Sequence, residues 1–117
     1  MEYEFNVLKT KYGSFLEMNF VGESNIDILS GLFHSSNINI ELKDEWINKT
    51  NKVLKGNSNH EELGVEAYDI DIKKEKTYIF FYYPENGEHE FELSTTKFKK
   101  IIEIWFFELE EFGKNNN

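Results

Sequence analysis

The segment from Val65 to Leu93 constrains the fold most, because it holds three successive stretches with the pattern of β-strands. Residues 68–72 alternate apolar side chains with aspartates, residues 77–83 form a nearly continuous apolar and aromatic run, and residues 88–93 alternate glutamates with apolar or histidine side chains. Alternation with a period of two is typical of a strand with one buried face. Pro84–Gly87 supplies turn residues, including an Asn-Gly pair that tolerates positive φ. The segment therefore predicts a three-stranded antiparallel meander.

The apolar positions of this meander predict its register. Residues directly opposite each other in an antiparallel hairpin share a face of the sheet. Pairing Ile72 with Tyr78, and Tyr83 with Glu88, aligns the apolar sets of all three strands and leaves Lys73–Thr77 for the first turn. The core face predicted in this way lies under the C-terminal helix and comprises Tyr68, Ile70, Ile72, Tyr78, Phe80, Tyr82, Phe91 and Leu93.

The opposite face of the central strand is predicted to carry a second apolar stripe, formed by Ile79, Phe81 and Tyr83. Exposed aromatic residues bordered by polar ones mark interaction surfaces. Apolar residues on both faces of a central strand usually indicate burial on both sides, here under the N-terminal hairpin or the helix around 42–54. Both interpretations stay open from the sequence. The stripe is flanked on its two sides by the carboxylates Asp69, Asp71, Glu88, Glu90 and Glu92.

The remainder of the chain predicts one more hairpin and two helices. Residues 3–20 alternate on both sides of a turn near Lys11–Gly13, which indicates two paired strands. Residues 40–55 place apolar side chains on one helical face, with Gly56 as the C-terminal cap. A long helix follows Ser94 and runs to Phe112, where Gly113 is expected to end it.

We therefore expect an α+β fold in which an antiparallel sheet of about five strands packs against two principal helices. Residues 1–113 are expected to form a single domain, and residues 114–117 an unstructured tail. The conformation of residues 23–39 stays open, because Ser24 or Asn25 could cap a short helix that Gly31 and a polar cluster would interrupt.

The amino-acid composition excludes several classes of function. The chain of 117 residues carries 22 acidic and 13 basic residues, a formal charge of −9, and it contains no cysteine. Every basic residue is lysine, so the bidentate guanidinium that favours nucleic-acid phosphate is absent and no nucleic-acid partner is expected. Missing cysteine excludes disulfides and thiolate chemistry. With no apolar run of membrane length and no signal-like start at 1–8, we expect a cytoplasmic protein without a membrane partner.

Candidate catalytic or metal-binding residues are few. His34, His60 and His89 are isolated in sequence and form none of the usual zinc or hydrolase motifs. Asp69 and Asp71 share a strand face and could bind a divalent cation together, but the sequence marks no third ligand. We therefore expect no enzyme activity, no cofactor and no metal site.

The C-terminal part of the chain resembles small acidic bacterial immunity proteins, which are encoded beside polymorphic or contact-dependent growth inhibition toxins. The resemblance lies in the run 78–87, the strand 91–94 and the helix 98–105, a strand, Asn-Gly turn, strand and helix in succession. Immunity proteins of this kind share no functional residue, so the resemblance assigns none here. It implies a non-catalytic cytoplasmic protein that binds one cognate toxin, often a nuclease, and blocks its active site.

The sequence thus predicts a toxin-neutralising protein that forms a stoichiometric complex with a basic partner; its oligomeric state is left open. One alternative is a small ligand-binding or metal-binding domain, or an enzyme, with a pocket between sheet and helix that uses His89 or the Asp69–Asp71 pair. Another is a module that dimerises by burying the central apolar stripe. The residues expected to contact the partner are Asp69, Asp71, Ile79, Phe81, Tyr83, Glu88, Glu90 and Glu92.

Overall fold

The N-terminal hairpin forms as its alternation predicts. In a computed structural model that describes residues 2–22, 25–84 and 87–115, β1 (Glu2–Thr10) pairs antiparallel with β2 (Gly13–Val21). Phe5 lies opposite Met18, so the apolar residues of both strands share one face. Met18 is fully buried because that face packs on the core. This hairpin is a separate two-stranded sheet.

The described residues form three α-helices, which follow the pattern of apolar residues along the chain. The stretch left open by the sequence contains α1 (Ile26–Leu32), and α2 (Lys43–Leu54) follows a short 3-10 turn within the predicted helix. Gly56 has a φ of 80°, as expected of a residue that terminates a helix. The last helix, α3 (Thr95–Asn115), passes through Gly113, so the predicted end there is wrong. The first part of the predicted tail is therefore helical, and its last two residues lie outside the described ones.

A four-stranded antiparallel sheet forms the rest of the fold, in the order β3 (His60–Val65), β4 (Tyr68–Lys73), β5 (Lys76–Phe81) and β6 (Glu90–Ser94). The α+β class is confirmed, with two sheets in place of the single one expected. Strand β3 was missed because its sequence, with adjacent glutamates and a glycine, lacks a regular apolar alternation. Ala67, with a φ of 70°, lies in the tight turn between β3 and β4. The predicted Asn-Gly turn includes Asn86, which lies outside the described residues.

One hydrophobic core connects the helices with both sheets. Trp105 is fully buried and stacks on Phe5 of β1, with ring centroids 6.4 Å apart. Its indole N–H donates to the Ile38 carbonyl at 3.1 Å. Trp46 of α2 packs against Phe98 of α3 at 6.3 Å. The largest fully buried side chains are Trp46, Trp105, Phe33, Phe98, Phe106, Met18, Leu29, Leu32, Ile38, Ile70, Ile72 and Ile79.

The predicted core face is correct for β4 and β6 but wrong for β5. In the structure Ile70 lies opposite Ile79, and Ile79 lies opposite Phe91. Only Lys74 and Glu75 separate β4 from β5, so the turn is shorter than the predicted one. Both hairpin registers differ from the prediction by one residue, and this shift moves every side chain of β5 to the other face. The core face therefore comprises Tyr68, Ile70, Ile72, Thr77, Ile79, Phe81, Phe91 and Leu93.

Thr77 shows how β5 accommodates a polar residue on this buried face. Its side chain is fully buried, and its hydroxyl lies 2.9 Å from the hydroxyl of Thr95 at the start of α3. The Thr95 hydroxyl also donates to the carbonyl oxygen of Lys73. A buried hydroxyl is tolerated when it has hydrogen-bond partners. This network ties the beginning of α3 to the β4–β5 turn.

Within residues 2–22, 25–84 and 87–115, none of the helices is both long enough and apolar enough to cross a bilayer.

Candidate partner-binding site

The side of the four-stranded sheet turned away from the helices is here called the outer face. Alternation along β4 places Asp69 and Asp71 on it, since their neighbours Ile70 and Ile72 point into the core. The observed register places carboxylates of β3 and β6 on the same face. Its acidic and aromatic members are Glu62 on β3, Asp69 and Asp71 on β4, Tyr78 and Phe80 on β5, and Glu90 and Glu92 on β6.

The outer face is open to solvent in the described part of the chain. All three helices contact the sheet through its buried face, where Ile72 and Ile79 are 0% exposed. On the outer face, Phe80 is 37% exposed and Tyr82, just beyond β5, is 44% exposed. A hollow of about 350 Å³ lies on this face and is lined by residues of all four strands, including Tyr78 and Phe80 of β5.

Aromatic side chains form a ridge along the middle of the outer face. The rings of Phe80 and Tyr82 meet edge to face, with centroids 5.4 Å apart. The imidazole of His89 also stacks on Phe80, at 5.5 Å and an interplanar angle of 10°. These contacts hold the Phe80 ring while leaving much of it accessible, which is the arrangement of an aromatic anchor at an interface.

Carboxylates border this ridge on both sides, because β4 and β6, the strands paired with β5, each place a carboxylate opposite an aromatic residue. Asp69 lies opposite Phe80 on one side, and Glu90 lies opposite Phe80 on the other. The Tyr82 hydroxyl donates to Asp69, and this hydrogen bond is the main reason that the pKa of Tyr82 is raised. Asp69 is thereby held in a defined position beside the ridge.

Lys73 and Lys76 lie at one end of the outer face. The Lys76 ammonium lies 3.1 Å from Glu92, and the Lys73 ammonium lies 5.7 Å from the ring centroid of Tyr78. Lys73 and Lys76 flank the β4–β5 turn, so both lie at the end of the sheet nearest the start of α3. Towards the middle of the sheet, around Asp69 and Glu90, the outer face is acidic.

The predicted site residues divide into three groups. Asp69, Asp71, Glu90 and Glu92 lie on the outer face, as expected. Ile79 and Phe81 do not: Ile79 is completely buried, and Phe81 stacks on Tyr68 at 4.8 Å on the core face. The prediction failed for them because the one-residue change in register moved them under the helices. The third group, Tyr83 and Glu88, lies outside both strands.

Tyr83 and Glu88 lie between β5 and β6, beyond the ends of both strands, so their predicted pairing is wrong. Tyr83 is 75% exposed and meets Phe81 edge to face at 6.4 Å. The Asn25 amide donates to Glu88 at 3.4 Å, next to the start of α1. Together these residues line a second hollow of about 290 Å³ beside α1, which is separate from the outer face.

Sequence reasoning missed the residues that replace the buried pair. Tyr78, Phe80 and Tyr82 were assigned to the core, yet they form the aromatic ridge of the outer face. Glu62 and His60 were missed because β3 was not recognised. The signal that could have corrected the register is the short Lys-Glu turn between two lysines, since two-residue connections are the commonest in hairpins.

His60 and Glu62 give the Asp71 carboxylate two neighbours that the sequence did not predict. The His60 Nε2 atom contacts the Asp71 carboxylate directly and lies 3.9 Å from a Glu62 oxygen. One nitrogen and two carboxylate oxygens from these residues lie within 4.8 Å of one another. Of the residues of the alternative site proposed from sequence, Asp71 belongs to this cluster, whereas His89 and Asp69 do not.

Comparisons with protein-family models, with curated proteins and with solved structures find no match to this chain.

Proposed function

We propose that this protein binds a basic partner protein through its outer face and neutralises it, as its resemblance to bacterial toxin immunity proteins implies. The observation that carries the proposal is the exposed Phe80 and Tyr82 ridge, bordered on both sides by carboxylates on a sheet face that no helix covers in the described part of the chain. Aromatic anchors surrounded by polar groups are typical of protein interfaces.

Electrostatics favours a cationic partner. A chain with a net charge of −9 attracts basic proteins over long distances, and the outer face concentrates carboxylates at Asp69 and Glu90. The accessible ring of Phe80 adds a surface that can stack on lysine or arginine side chains of the partner. The two contributions are different: the charges accelerate association and select the partner, and the aromatic ridge supplies the buried contact.

The proposed activity is stoichiometric inhibition without catalysis. The partner is a toxin domain, in keeping with the resemblance, and a nuclease suits this surface because an active site that handles nucleic acid is itself basic. A complex of standard size buries about 1,600 Å² in total. We place the complex in the cytoplasm, where a chain without cysteine needs no oxidising environment.

Identification of the partner is the first experiment. The tagged protein is used to capture candidate toxins encoded next to its own gene, and binding is then measured with purified proteins by calorimetry. The proposal expects one tight partner with a basic surface and loss of its toxic activity at equimolar ratio. The absence of any tight partner among these gene products would contradict the proposal.

Phe80→Ala then tests the binding face. Truncation of a central aromatic anchor costs at least about 2 kcal/mol of binding, roughly a 30-fold loss of affinity. The matched control is Phe107→Ala on α3, whose ring is 61% exposed on another part of the molecule. Equal affinities of the two variants would show that the partner binds elsewhere.

The double variant Glu90→Gln and Glu92→Gln tests the electrostatic contribution to partner binding. Removing charges from the rim of an interface mainly slows association and reduces its dependence on salt. We expect a slower association rate at low ionic strength, measured by stopped flow, with little change in dissociation. An unchanged association rate and salt dependence would show that the partner does not approach this edge of the sheet.

A further inference from the structure

Two carboxylates face each other across neighbouring strands at one edge of the outer face. Glu62 of β3 lies directly opposite Asp71 of β4 in the antiparallel register. Like charges in directly opposite positions destabilise a strand pair. Both side chains are accessible, with exposed fractions of 75% for Glu62 and 46% for Asp71. This position therefore favours a cation between the two carboxylates.

An imidazole completes the cluster. His60 precedes Glu62 by two residues on the same strand, so both side chains project from the outer face. Among the residues that the structure describes, His60 is the only ion-pair partner of Glu62 and of Asp71. Lys73 lies opposite His60 in the register, but its ammonium lies over the Tyr78 ring.

We propose that His60, Glu62 and Asp71 bind one divalent transition-metal ion, with Zn²⁺ as the representative ion. One imidazole and two carboxylates are a donor set that suits zinc, with solvent completing a tetrahedral shell. Imidazole distinguishes this set from the all-oxygen sites that Mg²⁺ and Ca²⁺ prefer.

The geometry requires only small movements. Zinc bonds of about 2.0–2.2 Å place neighbouring tetrahedral ligands roughly 3.4 Å apart. The donor atoms here already lie within 4.8 Å of one another, and the His60 to Glu62 distance is 3.9 Å. The ion would enter between the imidazole and Asp71 in place of their direct contact. The exposed Glu62 side chain would close on it by rotation about its own bonds.

The site is tested with Zn²⁺ alone, by calorimetry and by thermal unfolding of the full chain. We expect one ion per chain, and at a Zn²⁺ concentration of about 100 times Kd a rise in Tm of roughly 10 °C. His60→Asn keeps a polar side chain near Asp71 and removes the ligand nitrogen. This variant is expected to unfold at the wild-type temperature without metal and to lose about tenfold or more in Zn²⁺ affinity.

Asp71→Asn gives the second measurement, with the same loss expected. The matched control is His89→Ala, which removes the other histidine beside the outer face and is expected to bind Zn²⁺ like the wild type. Circular dichroism in the absence of metal confirms that each variant is folded. Failure of the wild type to bind Zn²⁺, full binding by the His60 variant, or equal binding of Mg²⁺ would each overturn the assignment. None of these results bears on the partner binding proposed above.

Discussion

Threonine substitutions at Ile79 and Phe80, made one at a time, test which face of β5 is buried. The two residues are neighbours on the same strand, and threonine is β-branched, so strand propensity is retained at both positions. In the structure Ile79 is 0% exposed and Phe80 is 37% exposed. The register expected from sequence places Phe80 in the core and Ile79 on the opposite face, so the two registers predict opposite outcomes.

The expected cost at Ile79 follows from its burial. Ile79→Thr removes about two methylene equivalents, each worth about 0.8 kcal/mol, and buries a hydroxyl that costs roughly 1–3 kcal/mol without a partner. The sum is about 3 kcal/mol, which lowers Tm by roughly 10–15 °C for a domain of this size. Phe80→Thr loses only partly buried contacts with Tyr82 and His89, so we expect about 1 kcal/mol or less.

The measurement is urea denaturation of both variants beside the wild type, followed by circular dichroism, with the free energy of unfolding extrapolated to water. Equal m-values would show that the variants differ in stability alone. A larger loss for Phe80→Thr than for Ile79→Thr would refute the observed register, and with it the aromatic ridge of the outer face.

Two further predictions concern buried indoles and one ion pair. In the described part of the chain the Trp46 indole N–H has no hydrogen-bond partner, whereas the Trp105 indole N–H donates to the Ile38 carbonyl. Trp105→Phe leaves that carbonyl without its donor, so we expect it to destabilise the fold by about 1–3 kcal/mol more than Trp46→Phe. Denaturant titrations of the two variants measure this difference. The hydrogen bond from Lys43 lowers the pKa of Glu110, so its stabilisation is present above the ordinary glutamate pKa and is lost as pH falls through the lowered value. The stability difference between wild type and Glu110→Gln should therefore be present at pH 7 and close at strongly acidic pH; a difference that persists there would contradict this assignment.

Elements with one apolar face were predictable from the sequence. In the N-terminal hairpin, Leu16, Met18 and Phe20 are apolar while the intervening residues are polar, so a slip of one residue would expose the whole apolar set. The position of α2 could be predicted in the same way, because its apolar residues recur with the period of a helix. The end of α3 could not be predicted, because a glycine weakens a helix without ending it when the preceding turns pack in the core.

The acidic character of the candidate site was also contained in the sequence, since β4 and β6 alternate strictly and their carboxylates can occupy only the face opposite the core. The central strand was different. From Tyr78 to Tyr83 it is apolar or aromatic at every position, so either face satisfies the hydrophobic pattern equally well. Agreement between its two predicted pairings was no test, because moving both by one residue preserves that agreement. The tertiary structure decided which face of β5 is buried. A short turn, the Thr77–Thr95 contact and the helices packed against the Ile79 side of the sheet fix the register. Phe80 is therefore left in solvent among the carboxylates.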